Sequence, residues 1–145
     1  MGSLKLENIL VTSQKRIEVP GGDVLHAMKS TDPGFCGYGE AYFSIVKEGS
    51  IKAWKMHKRM TLNLLVPQGE VLFVFYLPDS NLYRTEIIGI TRYVRLTVPP
   101  GIWFGFQGLT SPQSLLLNIG NITHDPDEVS RKNLEEINFK WNLNK

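Results

Sequence analysis

Ile51-Lys52-Ala53-Trp54-Lys55-Met56-His57-Lys58 is the stretch on which the fold turns. It contains no glycine or proline and follows a turn signal, Glu48-Gly49-Ser50. In a strand, successive side chains point to opposite faces. Ile51, Ala53, Lys55 and His57 would then share one face, and Lys52, Trp54, Met56 and Lys58 the other. The first face starts small and apolar and ends cationic and titratable. Such a face can point into the mouth of a barrel. The same alternation also suits a basic strand end in solvent with Trp54 and Met56 in the core. Periodicity alone leaves both open.

Outward from this segment the pattern repeats. Residues 41–47, 61–66, 70–77, 85–90, 92–98 and 114–119 are short runs rich in β-branched and aromatic side chains. Pro67-Gln68-Gly69, Pro78-Asp79-Ser80 and Pro99-Pro100-Gly101 separate them. Many short strands at regular spacing argue for an all-β sandwich or barrel, and a jelly roll closes its edges by packing two sheets. The predicted organisation is one domain: an N-terminal arm over 1–23, a core over 24–122, and a short helix with a tail over 123–145. Asp125 or Asp127 would cap that helix and residues 128–136 would form it. The tail Phe139-Lys140-Trp141-Asn142-Leu143 is apolar enough to dock.

Composition removes several classes of function. A net charge of +2 with 21% charged residues gives no basic stripe for nucleic acid. No run approaches the roughly 20 apolar residues of a membrane helix, and no secretory leader is visible. The single cysteine, Cys36, forms no intrachain disulfide and favours a reducing, cytoplasmic setting.

Two spacings carry a resemblance. Gly49, Lys55, His57 and Gly69 stand at the intervals of the first cupin motif, and Pro99-Pro100-Gly101 with Phe104 at those of the second. Metal-binding cupins place four ligands at the positions held here by Lys55, His57, Leu62 and Phe104. Only one of these is a ligand residue, and a transition-metal site normally needs three or four. The expectation is therefore no metal and no cofactor. The segments 51–61, 98–106 and 124–128 together resemble the dTDP-4-dehydrorhamnose 3,5-epimerase group of sugar-nucleotide enzymes.

That resemblance implies a cupin-type jelly-roll β-sandwich and a homodimer, with His26 in a segment that reaches toward the neighbouring subunit. It also implies a nucleotide-linked 4-keto-6-deoxy sugar, dTDP-linked as the group's substrates are, used in deoxysugar supply. Relatives use a His base oriented by an Asp, with a Tyr as the opposing acid. Their His falls at Lys55, their Tyr near Ile122 or Thr123, and their Asp in a C-terminal extension. On this reading His57 becomes the base and Lys55 the enolate stabiliser or an alternative base. Tyr42, Tyr76 and Tyr93 are the candidate acids. Arg59, Lys52 and Phe104 are the substrate-binding candidates, although alternation puts Lys52 opposite Lys55 unless a bulge intervenes. The alternative is a non-catalytic cupin that binds a sugar nucleotide or a protein partner.

Overall fold

The computed structural model describes residues 3–141 of the 145. Asn142 and Leu143 of the expected docking tail lie outside the described residues. Twelve strands follow in order: β1 (Leu10–Ser13), β2 (Arg16–Ile17), β3 (Val24–Leu25), β4 (Glu40–Lys47), β5 (Ile51–His57), β6 (Leu62–Gln68), β7 (Glu70–Leu77), β8 (Leu82–Gly89), β9 (Val94–Val98), β10 (Trp103–Gly108), β11 (Gln113–Gly120) and β12 (Val129–Arg131). One sheet runs β1-β9-β6-β11-β4 and the other β12-β5-β10-β7-β8, with β2 and β3 forming a small ribbon. The pairings within these sheets are antiparallel.

Two five-stranded sheets close face to face over one apolar interior, which is the cupin-like β-sandwich. Val46, Leu62, Leu64, Val66, Leu96 and Leu116 fill it from the first sheet. Val71, Phe73, Phe75, Ile88 and Phe104 fill it from the second. Alternation in β7 explains the division: Val71, Phe73, Phe75 and Leu77 face inward, while Leu72, Val74 and Tyr76 face the back.

The back of the second sheet carries its own apolar layer. Trp54, Val74 and Trp103 pack there against Ile137 and Trp141. The Trp54 and Trp141 ring centroids are 5.4 Å apart, and Trp54 Nε1 donates to the Leu134 carbonyl at 3.1 Å. The tail therefore docks through Ile137, Phe139 and Trp141.

The expected helix over 128–136 takes a different form. Pro126–Glu128 and Leu134–Glu136 are single 3-10 turns, and β12 lies between them. Asp125 caps the first turn by accepting from the Asp127 N–H at 3.0 Å. Val129, Ser130 and Arg131 pair with His57, Met56 and Lys55, so the edge of β5 captured a segment that is too short to hold a helix of its own.

Strand β10 overlaps the resembling segment 98–106 and carries two glycines, Gly105 and Gly108. Gly105 is a packing residue: a Cβ there would lie 2.5 Å from the Ala53 Cβ. That close approach accompanies a bulge in β5. Lys55 pairs with Phe104 and Ala53 with Gly105, which leaves Trp54 as the extra residue. The Trp54 backbone bonds Lys132 instead, at 3.0 and 3.1 Å.

Candidate active site at the barrel mouth

The bulge resets the alternation of β5. Lys52 faces Phe106, and Lys55 faces Phe104. Since Phe104 and Phe106 are two residues apart on β10, Lys52 returns to the face of Lys55. Ile51 and Ala53, expected beside Lys55, pack instead with Trp54 and Met56 on the back. The front of β5 thus presents Lys52, Lys55 and His57 to the barrel mouth.

His57 is 6% exposed and Glu128 2%. The Nδ1–H of His57 donates to Oε2 of Glu128 in a short hydrogen bond. The other carboxylate oxygen accepts the backbone N–H groups of Arg59 at 2.9 Å and Met60 at 3.0 Å. Burial by itself would raise the Glu128 carboxyl; these three donors outweigh it and hold the carboxyl below its ordinary value. A carboxylate kept ionised can only accept, so the proton lies on Nδ1 of His57. That tautomer leaves the lone pair on Nε2, a buried atom with no hydrogen-bond partner among the described residues. Burial lowers the imidazole pKa, against the raising effect of the Glu128 bond and with help from the charges of Lys55 and Arg131. Neutral His57 is the species favoured near neutral pH, and it is equipped as a base.

Sequence reasoning misses Glu128 as a partner of His57: it enters there as the start of a helix and as the end of the resembling segment 124–128. The resemblance puts the orienting Asp of the relatives in a C-terminal extension; in this chain Glu128 makes a hydrogen bond to His57.

Lys55 is half-buried, its Nζ 5.9 Å from the Phe104 ring centroid. Burial pushes its amine pKa down, the Arg131 charge adds to this, and Glu128 opposes it. Phe104 is buried, and its ring lies 6.2 Å from that of His57, nearly parallel. A cleft of about 610 Å³ opens in front of these groups, lined by Lys52, Lys55, Phe104, Phe106, Arg131 and Lys132 among others. His57 does not itself line the cleft; Phe104 and Lys55 connect them. A larger hollow of about 1170 Å³ lies against the N-terminal segment, with Leu4, Met56 and Trp103 in its walls. It contains neither Lys55 nor His57, so the smaller cleft is the one joined to the titratable groups.

The other candidates are dispersed. Arg59 extends to Asp125 at 2.7 Å, and its guanidinium does not line the cleft. Its backbone is the part that serves the site. Tyr76 donates to Asn81 and stacks with Tyr83 on the back, while Tyr93 donates to the His26 carbonyl. Tyr42 differs. It shares a strand face with Val46 but is 41% exposed, and burial and Glu40 raise its phenol against the lowering effect of Arg131. The Arg131 charge therefore acts on Tyr42, Lys55 and His57 together. Ile122 packs against the interior and Thr123 is exposed. His124 uses its backbone N–H on Glu40. Among the described residues no group of three or more His, Cys, Asp or Glu side chains is placed to hold a metal.

No protein-family model matches the chain, and no curated protein does. Solved structures do. A dTDP sugar isomerase from Desulfovibrio desulfuricans shares 32% identity with it, over 93% of this chain and 91% of that one, at a TM-score of 0.88. The chain belongs to the dTDP-sugar epimerase/isomerase family. Two further structures share the family fold at lower identity. A sugar 3,4-ketoisomerase from Thermoanaerobacterium thermosaccharolyticum, crystallised with TDP, is 19% identical over 88% of this chain and 90% of that one, with a TM-score of 0.76. A dTDP-4-dehydrorhamnose 3,5-epimerase from Bacillus anthracis, with TDP and PPi bound, is 16% identical over 99% and 90%, with a TM-score of 0.83. In this dTDP-sugar epimerase/isomerase family member, the imidazole and carboxylate are brought together by pairing of β12 with β5.

Proposed function

We propose that this protein binds a nucleotide-linked 4-keto-6-deoxy sugar, dTDP-linked, and moves a proton at a carbon beside the ketone. One observation carries the reading: His57 is held by Glu128 through Nδ1 and keeps a buried, unpartnered Nε2. That arrangement supplies a neutral imidazole base, the form that proton abstraction near neutral pH requires.

Nε2 of His57 takes the acidic proton. The developing enolate oxygen is stabilised by the Lys55 ammonium, with Arg131 beside it. Tyr42, on the opposite sheet, returns a proton. Delivery to the same carbon from the other face inverts it; delivery to the neighbouring carbon shifts the ketone. Phosphates are received by Lys52 and Arg131 at the cleft, and Arg59 joins them by exchanging Asp125 for a phosphate oxygen. Phe104 forms the apolar floor beneath the sugar. The protein acts as a homodimer in this reading, and Phe43 and Ile45, 62% and 53% exposed on the outer side of β4, are the side chains such an interface would bury. It works in the cytoplasm, where nucleotide sugars are made; no helix of the described residues is long and apolar enough to cross a membrane.

Binding without turnover is the second reading. It is favoured by Lys55 standing where the resembled enzymes carry their His. Incubation with dTDP-4-keto-6-deoxyglucose in deuterium oxide, followed by NMR, separates the two. Label entering beside the ketone with wild type, and not with His57→Ala, supports proton transfer by His57. Bound ligand that stays unlabelled leaves a binding protein.

A further inference from the structure

The proton-transfer reading uses Lys55 only as a positive charge, yet its surroundings suit a different state. Among the described residues Lys55 makes no hydrogen bond and no ion pair. Its Nζ lies over the Phe104 ring, and Arg131 stands opposite it across the β5–β12 pairing. A lysine becomes a nucleophile when it is desolvated or set beside another cation, and Lys55 meets both conditions. Lys52, exposed on the same face, and Lys132, whose Nζ sits 4.8 Å from the Trp103 centroid, meet them less well.

We propose that Lys55 condenses with the ketone of the bound sugar to form a protonated imine. For its natural ligand the proposal rests on the keto-sugar reading; the reactivity of the amine does not. The uncharged Nζ attacks the carbonyl carbon, and the C=O electron pair moves to oxygen, which takes a proton. The nitrogen loses a proton, the hydroxyl leaves as water with another, and the nitrogen lone pair closes the C=N bond. From the ammonium form the balance is one ketone consumed, one water released and the positive charge retained on nitrogen. His57 Nε2, two residues along the same strand face, is placed to carry these protons. The iminium then draws electrons from the neighbouring C–H bond, so an enamine replaces the enolate. Hydrolysis by water returns the ketone and the free amine.

The test is reductive trapping with cyanoborohydride, which adds hydride to the imine carbon and fixes the adduct. The full chain is incubated with dTDP-4-keto-6-deoxyglucose and, separately, with pyridoxal 5′-phosphate as an anionic aldehyde. Peptide mapping then compares Lys52, Lys55 and Lys132. The expected result is a gain of the ligand mass less one oxygen atom, at Lys55 at least ~10-fold above the other two. The adduct should vanish in Lys55→Arg and persist in Lys47→Ala, whose lysine is exposed and outside the cleft. Thermal unfolding establishes that both variants are folded. Adduct at none of the three, or spread evenly over them, overturns the proposal. Deuterium exchange run in parallel separates the two readings. An adduct at Lys55 without exchange keeps this proposal and sinks proton transfer, whereas exchange at full rate in Lys55→Arg does the reverse. Should the sugar nucleotide fail to bind, the ratio obtained with pyridoxal 5′-phosphate decides.

Discussion

Glu128 lies 71 positions from His57 in sequence and holds it by Nδ1, while its second oxygen ties down the backbone of Arg59 and Met60. One carboxylate thus fixes the ring's tautomer and the path of the chain leaving β5. This double use makes its two obvious substitutions behave differently.

Glu128→Gln retains an oxygen for the Arg59 and Met60 N–H groups but turns an amide N–H toward Nδ1. The imidazole must then accept at Nδ1 and carry its proton on Nε2, where the base is needed. Exchange should fall by about 10²–10⁴-fold with modest loss of stability. Long-range ¹⁵N–¹H NMR of His57 reads the tautomer directly, and retention of Nδ1–H in the variant would contradict the account. Glu128→Ala removes both functions and should destabilise by roughly 3–5 kcal/mol, measured by denaturant unfolding.

His57→Asn removes the base with little change in shape. Proton exchange should drop by at least ~10²-fold, while TDP affinity by calorimetry stays within a few-fold. A parallel loss of affinity would move His57 from the chemistry to binding.

The pH dependence follows from the shifted groups. The pKa of His57 is lowered by burial, so its base form persists below the ordinary value of 6.5. The acid limb of kcat/KM is expected below that value. Stability has the same direction. Below 6.5 the unfolded chain takes up a proton that folded His57 refuses, so stability falls with falling pH until the folded pKa is passed. Glu128, also lowered, adds a second loss as pH drops from its ordinary 4.5 toward its folded pKa. Unfolding midpoints measured against pH should decline on acidification, and the His57 portion should be absent in His57→Asn.

The cleft cations make a graded prediction. Lys52→Ala and Arg131→Ala should each weaken TDP binding by about 10–100-fold, the worth of one charge-assisted hydrogen bond. Both losses should shrink as salt rises, because these are exposed groups. An unchanged affinity in both variants would place the phosphates elsewhere.

Trp141→Ala opens the layer behind β5, where Trp141 packs on Trp54 and on Phe139, whose centroid is 4.9 Å away. A loss of about 3–5 kcal/mol is expected by denaturant unfolding.

Much of this was visible beforehand in the strand pattern. Residues 70–77 were read at their observed limits, because β-branched and aromatic side chains alternate there without interruption. The site was legible where a local rule sufficed: Lys55 and His57 share a face because a single residue, Met56, separates them. It was illegible where geometry is set at a distance. Lys52 changed face because Gly105, on another strand, admits the bulge at Trp54. Glu128 and Arg131 joined the site through β12, three residues whose propensity could not announce a strand. The tyrosines had equal standing until the topology put Tyr76 on the back, tied Tyr93 to His26 and left Tyr42 on the strand face of Val46.

The pairing of β12 with β5 also orders events in time. A growing chain emerges N-terminal end first, so ten strands beyond β1 are available before β12 is made. Until then β5 is the bare border of its sheet, and the imidazole has no carboxylate to hold it. A chain ending before residue 128 would therefore leave β5 as a bare edge, with no carboxylate beside His57. The last strand to be made docks onto an existing edge, and the turn just before it brings Glu128 to His57.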